Sequence, residues 1–412
     1  MKREVKPSEV RGTITAPASK SVVQRAIAAA LLSDGKSIIT NPGNSNDCLA
    51  ALSIARALGA TVTQSGNQLE IIGTRGIASN QLHCGESGLS IRMFTPIAAS
   101  FSEEIMLTGD GSLSTRPMAL LESPLRQLGA FCQTTNGLIP ITVKGPLNGG
   151  KALLDGSLGS QILTGMLMAA PLAKSDVTIK VKNLQSKPYI NLTLEVMQAF
   201  GVTAENRNYE EFYIKANQMY RHTSYNVEGD WSGAAFLLVA GAIAGMIRVE
   251  NISAQSRQAD KAILQALSLA GASVREESNA VEVCRSPLSA FAFDATDCPD
   301  LFPPLVSLAT ACKGISAIKG VGRLAHKESN RALALQTEYK KMGINIEVDD
   351  DIMLVTGGAI NAAAIDSHND HRIAMAAATS ALTANGVVII EDAQCVAKSY
   401  PEFFEDLSAI KK

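Results

Sequence analysis

The chain has 412 residues, 46% of them hydrophobic and 18% charged, with a formal net charge of −2. That apolar content excludes a disordered chain, and the near-neutral balance excludes a global electrostatic pull toward nucleic acid or an anionic membrane surface. At this length one hydrophobic core gives way to two domains, and any anion site must be local.

In chain order, Met-Lys-Arg-Glu-Val-Lys lacks the apolar core of a signal peptide, and residues 4–15 read as a strand. Ala16-Pro-Ala-Ser-Lys-Ser-Val-Val-Gln-Arg25 then runs into an apolar helical segment. A helix start presents backbone N–H groups without intrahelical partners at the positive end of the macrodipole, so it attracts anions. Comparable Gly/Ala/Leu-rich helices are predicted to begin near Ser21, Leu89, Ser160, Ser232, Leu301 and His371. A β-type segment follows each, at 37–40, 104–108, 177–181, 247–250, 315–318 and 387–391. A second helix comes next and ends on glycine before a hairpin: Leu58-Gly59, Leu128-Gly129, Phe200-Gly201, Ala270-Gly271 and Met342-Gly343. Those glycines lie 70, 72, 70 and 72 residues apart, and glycine suits the left-handed position that closes a helix.

This periodicity predicts six α-β-α-β-β units, the sixth ending after its second helix at 400–410. With 4–15 pairing onto the sixth unit, the domains are a discontinuous one, 1–18 plus 229–412, and a continuous insert, 19–228, each of three repeats. The hinge crossings then fall near 16–19 and 227–230. The apolar run from Trp231 to Ile247, 17 residues, is too short and too rich in Gly and Ala for a membrane span and reads as a buried helix followed by a strand. Seven scattered cysteines, an odd number without a Cys-x-x-Cys pair, fit a reduced cytoplasmic protein whose thiols pack as small core residues.

The helix starts carry most of the polar residues. Capping accounts for Asp230 and Ser232. It does not account for Lys20 or Arg372, because cations at a helix N-terminus oppose the dipole, so a shared anionic partner is expected there. The densest stretch, Arg323-Leu-Ala-His-Lys327-Glu328-Ser-Asn-Arg331, is expected to open a helix running to Met342, with Lys327 and Arg331 on one face and Glu328 in the first turn. Arg116-Pro117, Ser186-Lys-Pro-Tyr189 and Lys398 are expected to open the second helices of their own units. No Walker A, dinucleotide or His-Glu-x-x-His motif occurs, and His368 and His371 have no cysteines or carboxylates at metal-ligand spacing.

Pro17-Ala-Ser-Lys-Ser-x-x-x-Arg25, Leu-Thr-Gly-Asp with Arg116-Pro, Ser160-Gln161, Ser186-Lys-Pro-Tyr189, Pro299-Asp300, His326-Lys-Glu-Ser-Asn-Arg331, Asn369-Asp-His-Arg372 and Ala397-Lys398 together resemble the EPSP synthase family of enolpyruvyl transferases. The resemblance spans the whole chain. It implies an α/β, two-domain enolpyruvyl-transferase fold (an inside-out α/β barrel) of six βαβαββ-type repeats, three per domain. It implies transfer of the enolpyruvyl group of phosphoenolpyruvate to the 5-hydroxyl of shikimate 3-phosphate, with release of phosphate, on the route to the aromatic amino acids. By the same resemblance, Lys20, Ser21, Arg25, Ser160, Gln161, Ser186, Tyr189, Asp300, Arg323 and Lys327 would hold shikimate 3-phosphate. Lys20, Gly88, Arg116, Gln161, Arg331, His371, Arg372 and Lys398 would hold phosphoenolpyruvate. Asp300, Glu328, Lys20 and Lys327 would carry the chemistry. No metal or organic cofactor and no nucleic-acid or membrane partner is expected, and a cytoplasmic monomer is. Glu86, Leu89 and Gly159 depart from the family's usual Asn, Thr and Ser. Two other readings stay open: the sister transferase acting on UDP-N-acetylglucosamine, and a non-catalytic relative that keeps the phosphate sites.

Overall fold

The structure is a computed structural model that describes residues 1–74 and 76–412. The chain packs as two compact units, residues 1–19 with 228–412, and residues 20–227.

Among the described residues, unit 20–227 holds six α-helices: α1 (Lys20–Leu31), α2 (Asn46–Ala57), α3 (Gly88–Ala98), α4 (Glu122–Gln127), α5 (Gln161–Ala169) and α6 (Lys187–Ala199). The other unit repeats the pattern with α7 (Trp231–Ala244), α8 (Ile263–Leu269), α9 (Phe302–Thr310), α10 (Arg331–Lys341), α11 (His371–Ala381) and α12 (Phe403–Ala409). Odd-numbered helices form the cores. All 14 residues of α7, a helix without a polar face, are buried, and so are all 11 of both α3 and α11, with Arg92, His371 and Arg372 among them. Within the cores α3 packs on α5, and α7, α9 and α11 pack on one another. Each fully buried Leu, Ile or Phe there contributes about 1.5–3 kcal/mol. Even-numbered helices are half-buried and cover the sheets. Among the described residues no helix is long and apolar enough to cross a membrane.

Among the described residues, six small sheets complete the units, five of four strands and one of three. In the second repeat, Gln81–His83 pairs parallel to Glu104–Thr108, which pairs antiparallel to Leu138–Lys144, which pairs antiparallel to Phe131–Thr135. The short leading strand makes the unit β-α-β-α-β-β, one strand more than the sequence pattern showed. Strand faces alternate: Ile105 and Leu107 point inward while their neighbours stay wetter. After α2, α4, α6, α8 and α10 the chain turns through Gly59, Gly129, Gly201, Gly271 and Gly343 at φ +92°, +89°, +81°, +86° and +84°. These are left-handed values that a Cβ would strain.

The N-terminal segment differs from expectation. It forms two strands, and Arg3–Val5 pairs with the sixth repeat's strand, antiparallel to Val388–Glu391. Val10–Thr15 instead pairs parallel to Gly245–Glu250 and supplies the leading strand of the fourth repeat. Pro7 interrupts the run, and proline cannot donate to a ladder. In the other unit Ser224–Asn226 likewise returns to pair with Lys36–Thr40, closing the third repeat onto the first.

Candidate active site

In unit 1–19/228–412 the polar residues converge on Asp300, which lies in a short 3-10 turn ahead of α9. Its Oδ1 accepts from Arg331 Nη1 at 2.6 Å and from Lys327 Nζ at 3.3 Å, and its Oδ2 accepts from Arg372 Nη2 at 3.2 Å. Arg331 is the centre of this network. Its guanidinium is fully buried, donating through Nη2 to Glu328 Oε2 at 2.6 Å and through Nε to Asp370 Oδ2 at 2.8 Å. Burial opposes that charge, but Asp370, Glu328 and Asp300 hold Arg331 well above the usual guanidinium range. Arg372 is held up in the same way by Asp300 and Asp260. Lys327 goes the other way: burial lowers its ammonium, with Asp300 only partly offsetting.

Asp370 caps α11 by accepting from the Arg372 backbone N–H at 2.9 Å, so one carboxylate both starts the helix and fixes Arg331. His371 is fully buried, its Nδ1 3.8 Å from Asp370 Oδ1. Lys398 Nζ donates to the Asn369 carbonyl at 2.6 Å, and Arg323 Nη1 to the Thr296 carbonyl at 2.7 Å. Behind Arg372 lies Asp260, completely buried and bonded by the Ser232 hydroxyl. Burial, and then the charge of Asp300, push the Asp260 carboxyl up to about 7.

In unit 20–227 the cations have fewer carboxylates. Arg25 is buried on α1 and meets only neutral partners in its hydrogen bonds, namely Thr193 Oγ1 at 2.9 Å, the Ser21 carbonyl at 2.6 Å, Thr164 Oγ1 at 3.4 Å and the Tyr189 carbonyl at 3.5 Å. Burial accordingly lowers it to about 10. Arg116 is 6% exposed and its guanidinium lies against Gly88, so a Cβ there would push the guanidinium aside. Its Nε and Nη1 are buried with no hydrogen-bond partner among the described residues. Gln161 opens α5 and accepts from Arg92 Nη1 at 2.9 Å. Ser160 precedes it without a side-chain cap bond, and Ser186 takes a left-handed φ of 58° before α6. Lys20 starts α1 with its Nζ 3.0 Å from Asp47 Oδ2.

Several expectations need correction. The stretch before α10 is not helical until Arg331, because Asn330 accepts from the Leu333 N–H and caps the helix there. Lys327 and Glu328 therefore sit in the preceding loop, and reach Asp300 and Arg331 from it rather than along a helix face. Arg116 follows a 3-10 turn, Gly111–Thr115, and Lys398 closes another, Ala393–Lys398, so neither opens a helix. Lys20 and Arg372 each also have a carboxylate of the chain itself within reach, Asp47 at 3.0 Å and Asp300 at 3.2 Å. Arg92 donates through Nη1 to Gln161 and through Nη2 to the Pro117 carbonyl, and the Glu86 carboxylate lies over Gly111. Asp47, Asp260 and the second role of Asp370 were missed. Only Asp370 carried a signal, as the carboxylate beside Arg372 at a helix start.

Comparisons with known proteins identify the family and the fold. The family model for EPSP synthase (3-phosphoshikimate 1-carboxyvinyltransferase) matches residues 5–407. A 3-phosphoshikimate 1-carboxyvinyltransferase of Methanocella arvoryzae is 38% identical over 415 residues, covering 98% of each chain. One of Clostridium kluyveri is 35% identical over 410 residues, covering 98% of this chain and 96% of its own. The solved EPSP synthase of Acinetobacter baumannii superposes with a TM-score of 0.85 at 26% identity, covering 100% of this chain and 98% of that one. The architecture is the two-domain α/β fold of the enolpyruvyl transferases. The chain belongs to the EPSP synthase family.

Proposed function

We infer that the chain transfers the enolpyruvyl group of phosphoenolpyruvate to the 5-hydroxyl of shikimate 3-phosphate. The observation that carries the assignment of roles is the Asp300 carboxylate within 3.3 Å of Lys327, Arg331 and Arg372, with Glu328 on the same arginine. Three cations stabilise Asp300 as the anion that a general base must be. Asp300 takes the proton of the attacking hydroxyl as its oxygen bonds to C2 of the enol, and Glu328 delivers a proton to the methylene carbon. The tetrahedral adduct then gives a proton of its methyl group back to the Glu328 carboxylate as the C–O bond to phosphate breaks, which releases phosphate and forms the enol ether.

Charge apportions the binding roles. Arg25 and Arg116, buried without hydrogen-bonded carboxylates, suit anions that supply the missing charge. Arg25, with Ser21, Ser160, Gln161, Ser186 and Tyr189, would take the shikimate phosphate. Arg116, Arg331, Arg372 and Lys398 would take phosphoenolpyruvate, and Lys20 would serve both. Lys327, its charge already disfavoured by burial, is suited to exchange a proton or to pair with the incoming phosphate.

The test is phosphate release, expected only when shikimate 3-phosphate and phosphoenolpyruvate are both present. In the same assay Asp300→Ala should abolish turnover while shikimate 3-phosphate still binds within about tenfold of the unaltered protein. Release with UDP-N-acetylglucosamine as acceptor would reassign the substrate, and binding of both ligands without release would deny catalysis.

A further inference from the structure

The turn that precedes α11 is held by a residue outside every role assigned above. His368 and Asn369 are consecutive non-glycine residues in the left-handed region, at φ 52° and 51°. Such a conformation is intrinsically unfavourable and persists only where surrounding contacts over-determine it. Glu338 on α10, a carboxylate 1% exposed, supplies two of those contacts. Its Oε1 accepts from His368 Nε2 at 2.9 Å. Its Oε2 accepts from the Asp366 backbone N–H at 3.0 Å and from Lys341 Nζ at 2.6 Å. Because a carboxylate only accepts, the His368 proton must be on Nε2. Asp366 Oδ1 in turn accepts from the His368 backbone N–H at 2.7 Å.

Glu338 lies seven residues after Arg331 on the same helix, so the two share a face about 10.5 Å apart along its axis. That single face grips the turn twice: Arg331 holds Asp370, and Glu338 holds His368 two residues earlier. What the turn delivers lies immediately beyond, in the Asn369 carbonyl that takes Lys398, the Asp370 cap, and Arg372 on Asp300.

We propose that Glu338 is a positioning residue for the enolpyruvyl transfer, locking the left-handed His368–Asn369 turn and thereby fixing where Lys398, Asp370 and Arg372 stand for phosphoenolpyruvate. This rests on the assignment of Arg372 and Lys398 to phosphoenolpyruvate made above.

The full chain carrying Glu338→Ala, His368→Ala or both tests it. Glu338→Ala should raise KM for phosphoenolpyruvate by about tenfold or more and leave KM for shikimate 3-phosphate within about twofold. His368→Ala should act in the same direction, and the double variant should add nothing to Glu338→Ala, because both work through one contact. Hydrogen exchange gives a readout independent of turnover: amides of 368–372 should exchange faster in Glu338→Ala while those of α7 keep their protection. An unchanged KM for phosphoenolpyruvate, or both KM values rising together with loss of protection in α7, would overturn the proposal. Unaltered protein that releases no phosphate from the two substrates would sink the transferase reading instead. Exchange at 368–372 would then decide the role of Glu338 alone, and unchanged exchange there would refute it.

Discussion

Replacing Arg331 by Met is the most informative single perturbation of the charge cluster. The guanidinium is 0% exposed and bonds three carboxylates, Asp370 at 2.8 Å, Glu328 at 2.6 Å and Asp300 at 2.6 Å. Methionine fills the stem's volume and removes the charge. Asp300 and Glu328 keep 24% and 17% side-chain exposure, and Asp300 keeps Lys327 and Arg372, so their losses are partly absorbed. Asp370 has 0% exposure and loses its main counter-charge. Leaving such a carboxylate uncompensated costs about 3–5 kcal/mol. In a unit of this size that lowers the unfolding midpoint by roughly 10 °C. The assay is fluorescence of Trp231, the one tryptophan of the chain, fully buried in α7 of the same unit and hence a reporter of that unit's unfolding. Adding Asp370→Asn to Arg331→Met should recover about 1–3 kcal/mol, since an amide keeps the cap on the Arg372 N–H without a buried charge. A midpoint shift below about 2 °C for the single variant, or a double variant less stable than the single, would refute the reasoning.

Asp260 gives a pH-dependent prediction. Its folded value of about 7 lies above the ordinary 3.8, so the folded state binds a proton that the unfolded state releases in between. Its contribution to stability is present below about pH 4 and is lost as pH rises through 7, by roughly 4 kcal/mol. Asp260→Asn should therefore be stabilised relative to the unaltered protein at pH 8, with the advantage fading toward pH 4; an advantage equal at both ends would remove burial of the charge as the cause. The repeat-closing glycines separate backbone strain from collision. A Cβ on Gly271 would find only the Pro287 carbonyl, at 3.5 Å, so Gly271→Ala should cost about 1–2 kcal/mol from the left-handed φ alone. A Cβ on Gly59 would run into the Gly76 carbonyl oxygen, so Gly59→Ala should cost measurably more in chemical denaturation, and equal losses would contradict that geometry.

The sequence by itself determined what depends on local backbone and on period. Five glycines at near-constant spacing marked helix ends because a left-handed residue after a helix is a requirement of that one peptide unit. The run from Trp231 read as a buried helix because its apolar character has no polar face to expose. The late start of α10 has a local mark in Asn330, a preferred cap, although the helical spacing of Lys327 and Arg331 points to an earlier one. Pro7 similarly marked the break between the two N-terminal strands.

Tertiary structure alone decided which charges meet. Lys20 finds Asp47 across 27 residues, Arg372 finds Asp300 across 72, and Glu338 finds His368 across 30. Val10–Thr15 could pair with any repeat as far as its pattern goes, and it takes the fourth because that sheet's edge at Gly245–Glu250 is otherwise unfilled. Such pairings are set by packing between distant segments, where burial strengthens each charge's demand for a partner and no spacing rule records the choice.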